Sequence, residues 1–207
     1  MDRVMEMATT SSLKLVLASS SPRRQELLRL LQLPFTIVTR DTDESTEPGM
    51  SPACIVESLS LRKAEAVRQH LADQGDTDSL IIGSDTIVVL DGQALGKPSG
   101  KEDALRMLQA LRGREHEVYS GVACVDASRG IAKVKHRVTK VYMKPLRDEQ
   151  LARYIATGEP MDKAGAYGIQ GMGAMLVDKI EGDFFNVVGL PVSLLSEMLL
   201  DFGFEVL

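Results

Sequence analysis

The chain is poor in the residues from which covalent and metal frameworks are built. It has two cysteines, Cys54 and Cys124, and three scattered histidines, His70, His116 and His136. No disulfide framework and no Cys/His metal spacing can be made from these, and no Ser/His pair is suggested. Both thiols lie in apolar contexts and are expected to be buried and free, as in a reducing compartment such as the cytosol. No apolar run is long enough to cross a membrane. The first twelve residues, MDRVMEMATTSS, lack the apolar core of a signal peptide, and Asp2 and Glu6 speak against a transit peptide, so 1–12 is expected to be a disordered tail. The charge balance, a net −5 at pH 7, lacks the basic excess that nucleic-acid binding requires. It leaves room for a small anionic substrate, because a few arginines in a cleft suffice for one. Repeats, low-complexity tracts and linker-like composition shifts are also missing. Residues 13–207 are therefore expected to form one domain, with enough of its 44% hydrophobic content to bury a core without crosslinks.

The stretch that organises the rest is KLVLASSSPRRQELLRLL, from Lys14 to Leu31. Leu15 to Ala18 is a short continuous apolar run, suited to a strand buried on both faces. Leu27, Leu28, Leu30 and Leu31 recur at helical spacing. Between them, Ser20 or Ser21 is placed to cap a helix whose first position is Pro22, and Glu26 is expected to supply an acidic first turn. A helix N-terminus at the end of a buried strand offers free N–H groups to an anion. The serines, Ser19 and Ser21 among them, add donors, and Arg23 and Arg24 add guanidiniums that grip phosphate bidentately. The alternative is an ordinary cap with two solvated arginines, since the glycine spacing of the well-known phosphate loops is missing.

Further along, Pro34–Val38 reads as a second strand. It leads into RDTDESTEPGM, 40–50, a polar loop whose Asp43 or Glu44 could help to hold a divalent cation or could simply be solvated. Ser51-Pro52 opens a helix to about Ala72 with Ile55, Val56, Leu59, Ala64 and Val67 inward. Its Lys63 is either a snorkelling surface residue or a phosphate contact. In LIIGSDTIVVLDGQAL, Leu80–Ile82 and Ile87–Leu90 are strand-like, and Asp91-Gly92 marks a hairpin. Asp85 stands between two apolar runs, where a carboxylate must be paired, metal-bound or neutral. The alternative is a β-bulge at Gly83-Ser84 with Asp85 bonded to nearby backbone. Lys97, in LGKP, resembles the end of a nucleotide-binding P-loop. The spacing from Gly92 is one residue short, however, and Pro98 stands where a metal-binding Ser/Thr is needed, so Lys97 is a candidate phosphate contact from a turn.

A helix is expected over Lys101–Leu111, an antiparallel pair over Glu117–Val125 and Ala132–Met143, and a helix over Pro145–Ala156 closed by Gly158. Next comes GEPMDKAGAYGIQGMG, 158–173, where five glycines surround Asp162, Lys163, Tyr167 and Gln170. A surface loop is one reading. Tyr167 and Ile169 argue against it, and a glutamine between glycines suits the flat edge of a ligand. A strand over Ala174–Val177, a turn over Glu181–Asn186 and a helix over about Pro191–Phe202 complete the chain.

Taken in order, LASSSPRR, LRKAEAV, GSDTIVVLDG, GKP, YSGV, TGEPMDKAGAYGIQG and GDFFNVVGLP resemble the Maf-like nucleoside triphosphate pyrophosphatases from Lys14 to Pro191. The resemblance implies a single α/β domain of the Maf/ITPase-like kind, with a mixed twisted sheet, flanking helices and a substrate cleft between two lobes. It implies hydrolysis of a nucleoside triphosphate between the α and β phosphates, with a divalent cation, Mg2+ or Mn2+, as cofactor. The family's general base corresponds to Asp85, and residues linked to base choice correspond to Arg23, Thr86 and Gln170. Arg23 with the Ile169-Gln170 pair is similar to the branch acting on dTTP and UTP. The metal ligands come from Asp85, Asp43 and Glu44. Ser19, Ser21, Arg23, Arg24, Lys63, Lys97 and Lys163 remain as the phosphate and substrate contacts. The expected partner is the nucleoside triphosphate, with neither nucleic acid nor membrane, and a homodimer is left open. A nucleotide-binding regulator of cell division and a sugar-phosphate nucleotidyltransferase are the competing readings.

Overall fold

A computed structural model describes residues 11–206, so ten of the twelve residues expected to form a tail lie outside the described residues. In chain order the elements are β1 (Lys14–Leu17), α1 (Pro22–Arg29), β2 (Phe35–Ile37), α2 (Pro52–Asp73), β3 (Ser79–Leu90), β4 (Gln93–Leu95), α3 (Lys101–Leu111), β5 (Glu115–Asp126), β6 (Ala132–Met143), α4 (Asp148–Ala156), β7 (Val177–Glu181), α5 (Phe184–Val188) and α6 (Val192–Leu200). Three 3-10 turns fill 159–176 between α4 and β7. The strands make one mixed sheet in the order β2-β1-β3-β5-β6-β7, with β4 on β3. β2, β1 and β3 run parallel, and the other pairings are antiparallel.

Period-two alternation sorts the β1 side chains between two layers. Leu15 and Leu17 join Leu28 of α1 and Leu195 and Met198 of α6 on one face, while Val16 and Ala18 meet Ala64, Val67 and Leu71 of α2 on the other. The far half of the sheet has a core of its own, in which Val88, Val118 and Val141 pack on Leu108, Leu111 and Leu151 of α3 and α4. Val177, Ile180 and Val187 touch both that core and the α1/α6 core. The molecule is therefore bilobed around one continuous sheet.

The strongest departure from expectation is β3. Instead of two short strands, it is a single twelve-residue strand, and its register with β5 runs unbroken from Leu80↔Asp126 to Val89↔Glu117. There is no bulge at Gly83-Ser84. The glycines serve close packing instead. A Cβ at Gly83 would lie 2.1 Å from the Ser60 carbonyl oxygen, and one at Gly121 would lie 2.3 Å from that of Val56. Only bare backbone at both positions lets α2 lie so close against the sheet.

Smaller corrections have local causes. Ser21 is the N-cap of α1 and Pro22 its first residue, but the cap makes no side-chain bond and no acid lies in the first turn, because Glu26 falls one turn later. The helix after Pro145 starts at Asp148, where Gln150 reaches back to the Arg147 N–H. The strand expected over Ala174–Val177 is largely a 3-10 turn, Gly171–Leu176, and the pairing strand occupies Val177–Glu181. Phe184 to Val188 is helical rather than a turn because Asp183 caps it, accepting from the N–H groups of Phe185 and Asn186. Cys124 is buried and its thiol is pushed up to about 12 by that burial. Cys54, expected inside, is exposed on the first turn of α2. Among the described residues no helix is long and apolar enough to cross a membrane.

Candidate active site

A cavity of about 470 Å³ opens between the lobes, with β3 on its floor. It shares Ser21, Arg23, Arg24, Glu44, Lys63, Lys97 and Asp162 with a wider outer concavity of about 890 Å³. The two form one trough, apolar at the inner end and charged at the mouth.

The close approach of α2 sets the charged centre. It carries Lys63 up to Asp85, whose Oδ1 accepts from Lys63 Nζ at 2.5 Å. The same ammonium lies 2.8 Å from Glu44 Oε1, so two carboxylates share one lysine. Asp85 is 9% exposed and its neighbours in β3 are apolar or hydroxyl-bearing. The buried acid is therefore paired with a side chain twenty-two residues upstream, not with local backbone. Lys63 likewise is no snorkelling surface residue. Its hydrogen bond and charge hold the Glu44 carboxyl below the usual carboxylate range. Asp43 turns elsewhere, its carboxylate accepting from the Ser45 N–H at 2.8 Å and from the Ser45 hydroxyl at 2.7 Å. That local turn lowers the Asp43 pKa.

The loop after β1 provides the next shell. Arg24 is clasped from behind: its Nε donates to the Gly189 carbonyl at 2.9 Å and its Nη2 to Thr86 Oγ1 at 3.2 Å. Its Nη1 lies 3.5 Å from Ser19 Oγ, which also accepts from the Ser21 N–H. Burial lowers the Arg24 pKa, against the Asp85 charge, which raises it. Arg23 reaches across the mouth to Asp162 at 3.1 Å. Asp162 also takes Lys163 at 2.8 Å. Burial would raise the Asp162 pKa, but the Lys163 hydrogen bond and the Arg23 charge outweigh it and the net shift is downward. Lys97 stands exposed at the mouth with no ion pair among the described residues.

The opposite wall is the segment 158–173. The Glu159 carboxylate accepts from the N–H groups of Met172 at 2.9 Å and Gly173 at 3.0 Å and from the Tyr154 hydroxyl at 3.0 Å. Tyr167 is buried with its hydroxyl 2.6 Å from His116 Nε2, and burial drives the His116 pKa down to about 4. Gln170 follows on this wall, exposed to the cavity, its side chain free of any protein partner among the described residues.

The trough thus brings together every candidate but Asp43: Ser21, Arg23, Arg24, Glu44, Lys63, Asp85, Thr86, Lys97, Lys163 and Gln170 line its inner cavity, and Ser19 its outer part. Sequence reasoning named Asp162 among the glycines without giving it a role, and did not single out Glu159, Ser120, Asn186 or the Gly189 carbonyl. Asp162, Glu159, Asn186 and Gly189 lie in the quoted GEPMD and GDFFNVVGLP stretches, but nothing local showed that they face the arginine loop. No group of three or more His, Cys, Asp or Glu residues able to hold a metal ion occurs among the described residues.

The family model described as Maf-like protein matches residues 14–202. A dTTP/UTP pyrophosphatase of Moorella thermoacetica is 54% identical over 193 residues, covering 93% of this chain and 97% of its own. Another, of Alkaliphilus metalliredigens, is 52% identical over 186 residues, covering 90% of this chain and 94% of its own. The solved structure of the Staphylococcus aureus Ham1 protein overlays with a TM-score of 0.49 at 14% identity, covering 79% of each chain.

Proposed function

The chain belongs to the Maf-like family, and from that membership we propose that it hydrolyses dTTP and UTP to the nucleoside monophosphate and pyrophosphate. The named activity of relatives about half identical over nearly the whole chain supports this reading. The single observation that carries it is the convergence of Asp85, Lys63, Arg24, Arg23 and Lys97 on one trough.

The chemistry follows from what each group can do. Arg23, Arg24 and Lys97 hold the triphosphate, and Arg24 enters already oriented by Gly189 and Thr86, which lowers the ordering cost of binding. Water attacks the α phosphorus, and the bond from that phosphorus to the bridging oxygen breaks. Pyrophosphate leaves, and the water's proton passes to Asp85, whose Oδ1 is anchored by Lys63 while Oδ2 remains available. Two carboxylates completed by substrate oxygens are a donor set that suits Mg2+ or Mn2+. Asp85 and Glu44 would hold such an ion, and Asp43, engaged with Ser45, would not. When bound, the ion takes charge off the phosphate oxygens. Gln170 and Thr86 choose the base at the inner end, while Arg23, bonded to Asp162 at the mouth, stays with the phosphates. Lys163, tied to Asp162 and to the Glu159 carbonyl, holds the Gln170 wall rather than the phosphates. Two free cysteines accord with a cytosolic setting.

The test is a panel of canonical nucleoside triphosphates with Mg2+ or Mn2+, scored for both products. Monophosphate and pyrophosphate in equal amounts from UTP and dTTP are expected. Nucleotide binding without turnover would overturn this reading in favour of a regulatory protein, and pyrophosphate that appears only with an added sugar phosphate would favour a nucleotidyltransferase.

A further inference from the structure

Behind Thr86 a line of hydrogen bonds runs across the sheet from β3 to β5 and on to α5, away from the cleft. Ser120 on β5 is the direct partner of Thr86 across the β3–β5 ladder. Ser120 Oγ lies 2.8 Å from Thr86 Oγ1 and 2.8 Å from the backbone carbonyl oxygen of Asn186. Ser120 and Asn186 are both fully buried, and Ser120 does not line the cavity. Asn186 is itself fixed, its side-chain amide donating to the Val118 carbonyl and to Thr139 Oγ1.

Counting protons gives this line a direction. A serine hydroxyl has one proton to donate. If Ser120 gave it to Thr86, the Asn186 carbonyl would be left buried without a donor, at the full desolvation cost of that group. Ser120 therefore donates to Asn186 and accepts from Thr86. The other acceptor within reach of the Thr86 proton is the Gly189 carbonyl at 3.3 Å. That carbonyl already receives Arg24 Nε at 2.9 Å and Ser84 Oγ at 3.2 Å. The nearer and uncrowded acceptor is Ser120 at 2.8 Å, which takes the Thr86 proton and keeps it inside the protein. Arg24 Nη2 occupies one lone pair of Thr86 Oγ1, which leaves one lone pair, and no proton, for the cleft.

We propose that the Asn186–Ser120 relay makes Thr86 a hydrogen-bond acceptor only, matched to the N3–H of uracil and thymine and mismatched to the bare N3 of cytosine. Ser120 is then a positioning residue for base choice: it acts through Thr86 and meets no substrate. Gln170 is left to take the neighbouring 4-carbonyl with its amide N–H. This inference rests on the pyrophosphatase reading above and adds how the base is chosen.

The experiment measures kcat/KM for UTP and CTP in wild type, Ser120→Ala and Ser120→Thr, with melting temperatures alongside. Without the Ser120 acceptor, the Thr86 proton has, among the described residues, only the more distant Gly189 carbonyl, already crowded by two donors, and the hydroxyl can turn its proton toward the cleft. In Ser120→Ala the UTP-to-CTP ratio is expected to fall about tenfold, mostly through KM, because the site no longer rejects the mismatched edge. Ser120→Thr keeps the hydroxyl and should keep the ratio, which a merely structural role for the position would not require. If Ser120→Ala does not fold, Ser120→Cys serves instead. Its weak donor and acceptor should give an intermediate ratio. A folded Ser120→Ala or Ser120→Cys enzyme with the wild-type ratio overturns the inference alone. A wild type that makes no pyrophosphate from UTP overturns the pyrophosphatase reading and this inference with it.

Discussion

On one wall of the cleft, Asp85 and Thr86 project from a twelve-residue strand, Lys63 from the middle of a twenty-two-residue helix, and Arg24 from the first turn of α1. On the other wall, Gln170 lies among 3-10 turns that Glu159, Tyr154 and the Tyr167–His116 pair hold by side-chain bonds. The first wall is backed by regular ladders and three apolar clusters, so its geometry should persist until the whole domain unfolds. The second also buries Ala166, Tyr167 and Ile169 in the core, but it follows no ladder and is tied by side-chain bonds, the kind of region that opens locally at lower cost. The charged groups proposed for bond cleavage occupy the firm wall. Of the two residues proposed to read the base, Thr86 stands on the firm wall and Gln170 on the adaptable one, where glycines are needed: a Cβ at Gly173 would fall 2.0 Å from the Gly168 carbonyl oxygen.

This contrast can be broken most severely at Asp85. Asp85→Asn should fold normally by circular dichroism and lower kcat at least about a hundredfold, the low end for loss of a general base. A folded variant with near-normal kcat would remove the firm wall from the chemistry.

Next in size is the adaptable wall. Gln170→Ala should shrink the UTP-to-CTP preference in kcat/KM by roughly ten- to a hundredfold, the equivalent of leaving one polar edge unpaired. Glu159→Ala, which releases the Met172 and Gly173 N–H groups, should reproduce part of that loss and leave the fold of the firm wall intact. Amide exchange that accelerates over 158–173 while β3 stays protected would confirm the separation. Acceleration in both would show that the walls are one unit.

At the mouth, Arg23→Ala and Lys97→Ala should each raise KM about tenfold, the scale of losing one charge-assisted contact, with unchanged circular dichroism. Normal KM in either variant would mark that side chain as a solvated surface charge.

The smallest effect at neutral pH concerns His116, buried neutral behind Tyr167. Its folded pKa of about 4 lies below the ordinary 6.5, so protonation favours the unfolded chain. The stability it contributes is complete above pH 6.5 and is lost as pH falls toward 4. Between pH 7 and pH 5 that loss is about 2 kcal/mol. Denaturant titrations should show His116→Gln losing correspondingly less stability than wild type over this range. Equal losses would mean that acid acts elsewhere.

Much of the fold was legible because its signals are local. Pro22 and Pro52 mark helix starts through a fixed φ and a missing N–H. Asp91-Gly92 marks the hairpin because both residues take positive φ, +51° and +77°. The continuous apolar run of Leu15 to Ala18 reports a strand covered on both faces wherever that strand sits. Even the position of Asp85 between apolar runs announced a buried charge in need of a partner. What no local signal carries is which distant groups meet. Gly83 reads as a bulge until α2 is seen lying against it. Asp43 and Glu44 are chemically alike neighbours, and only the folded loop turns one onto Ser45 and the other onto Lys63. The relay from Thr86 to Ser120 to Asn186 joins β3, β5 and α5, with sequence separations of 34 and 66 residues. Backbone propensity acts over a few residues, whereas a hydrogen bond forms wherever the sheet brings a donor within about 3 Å of an acceptor. The elements could therefore be read from the chain, and the partners of its polar groups were decided by how those elements pair and pack.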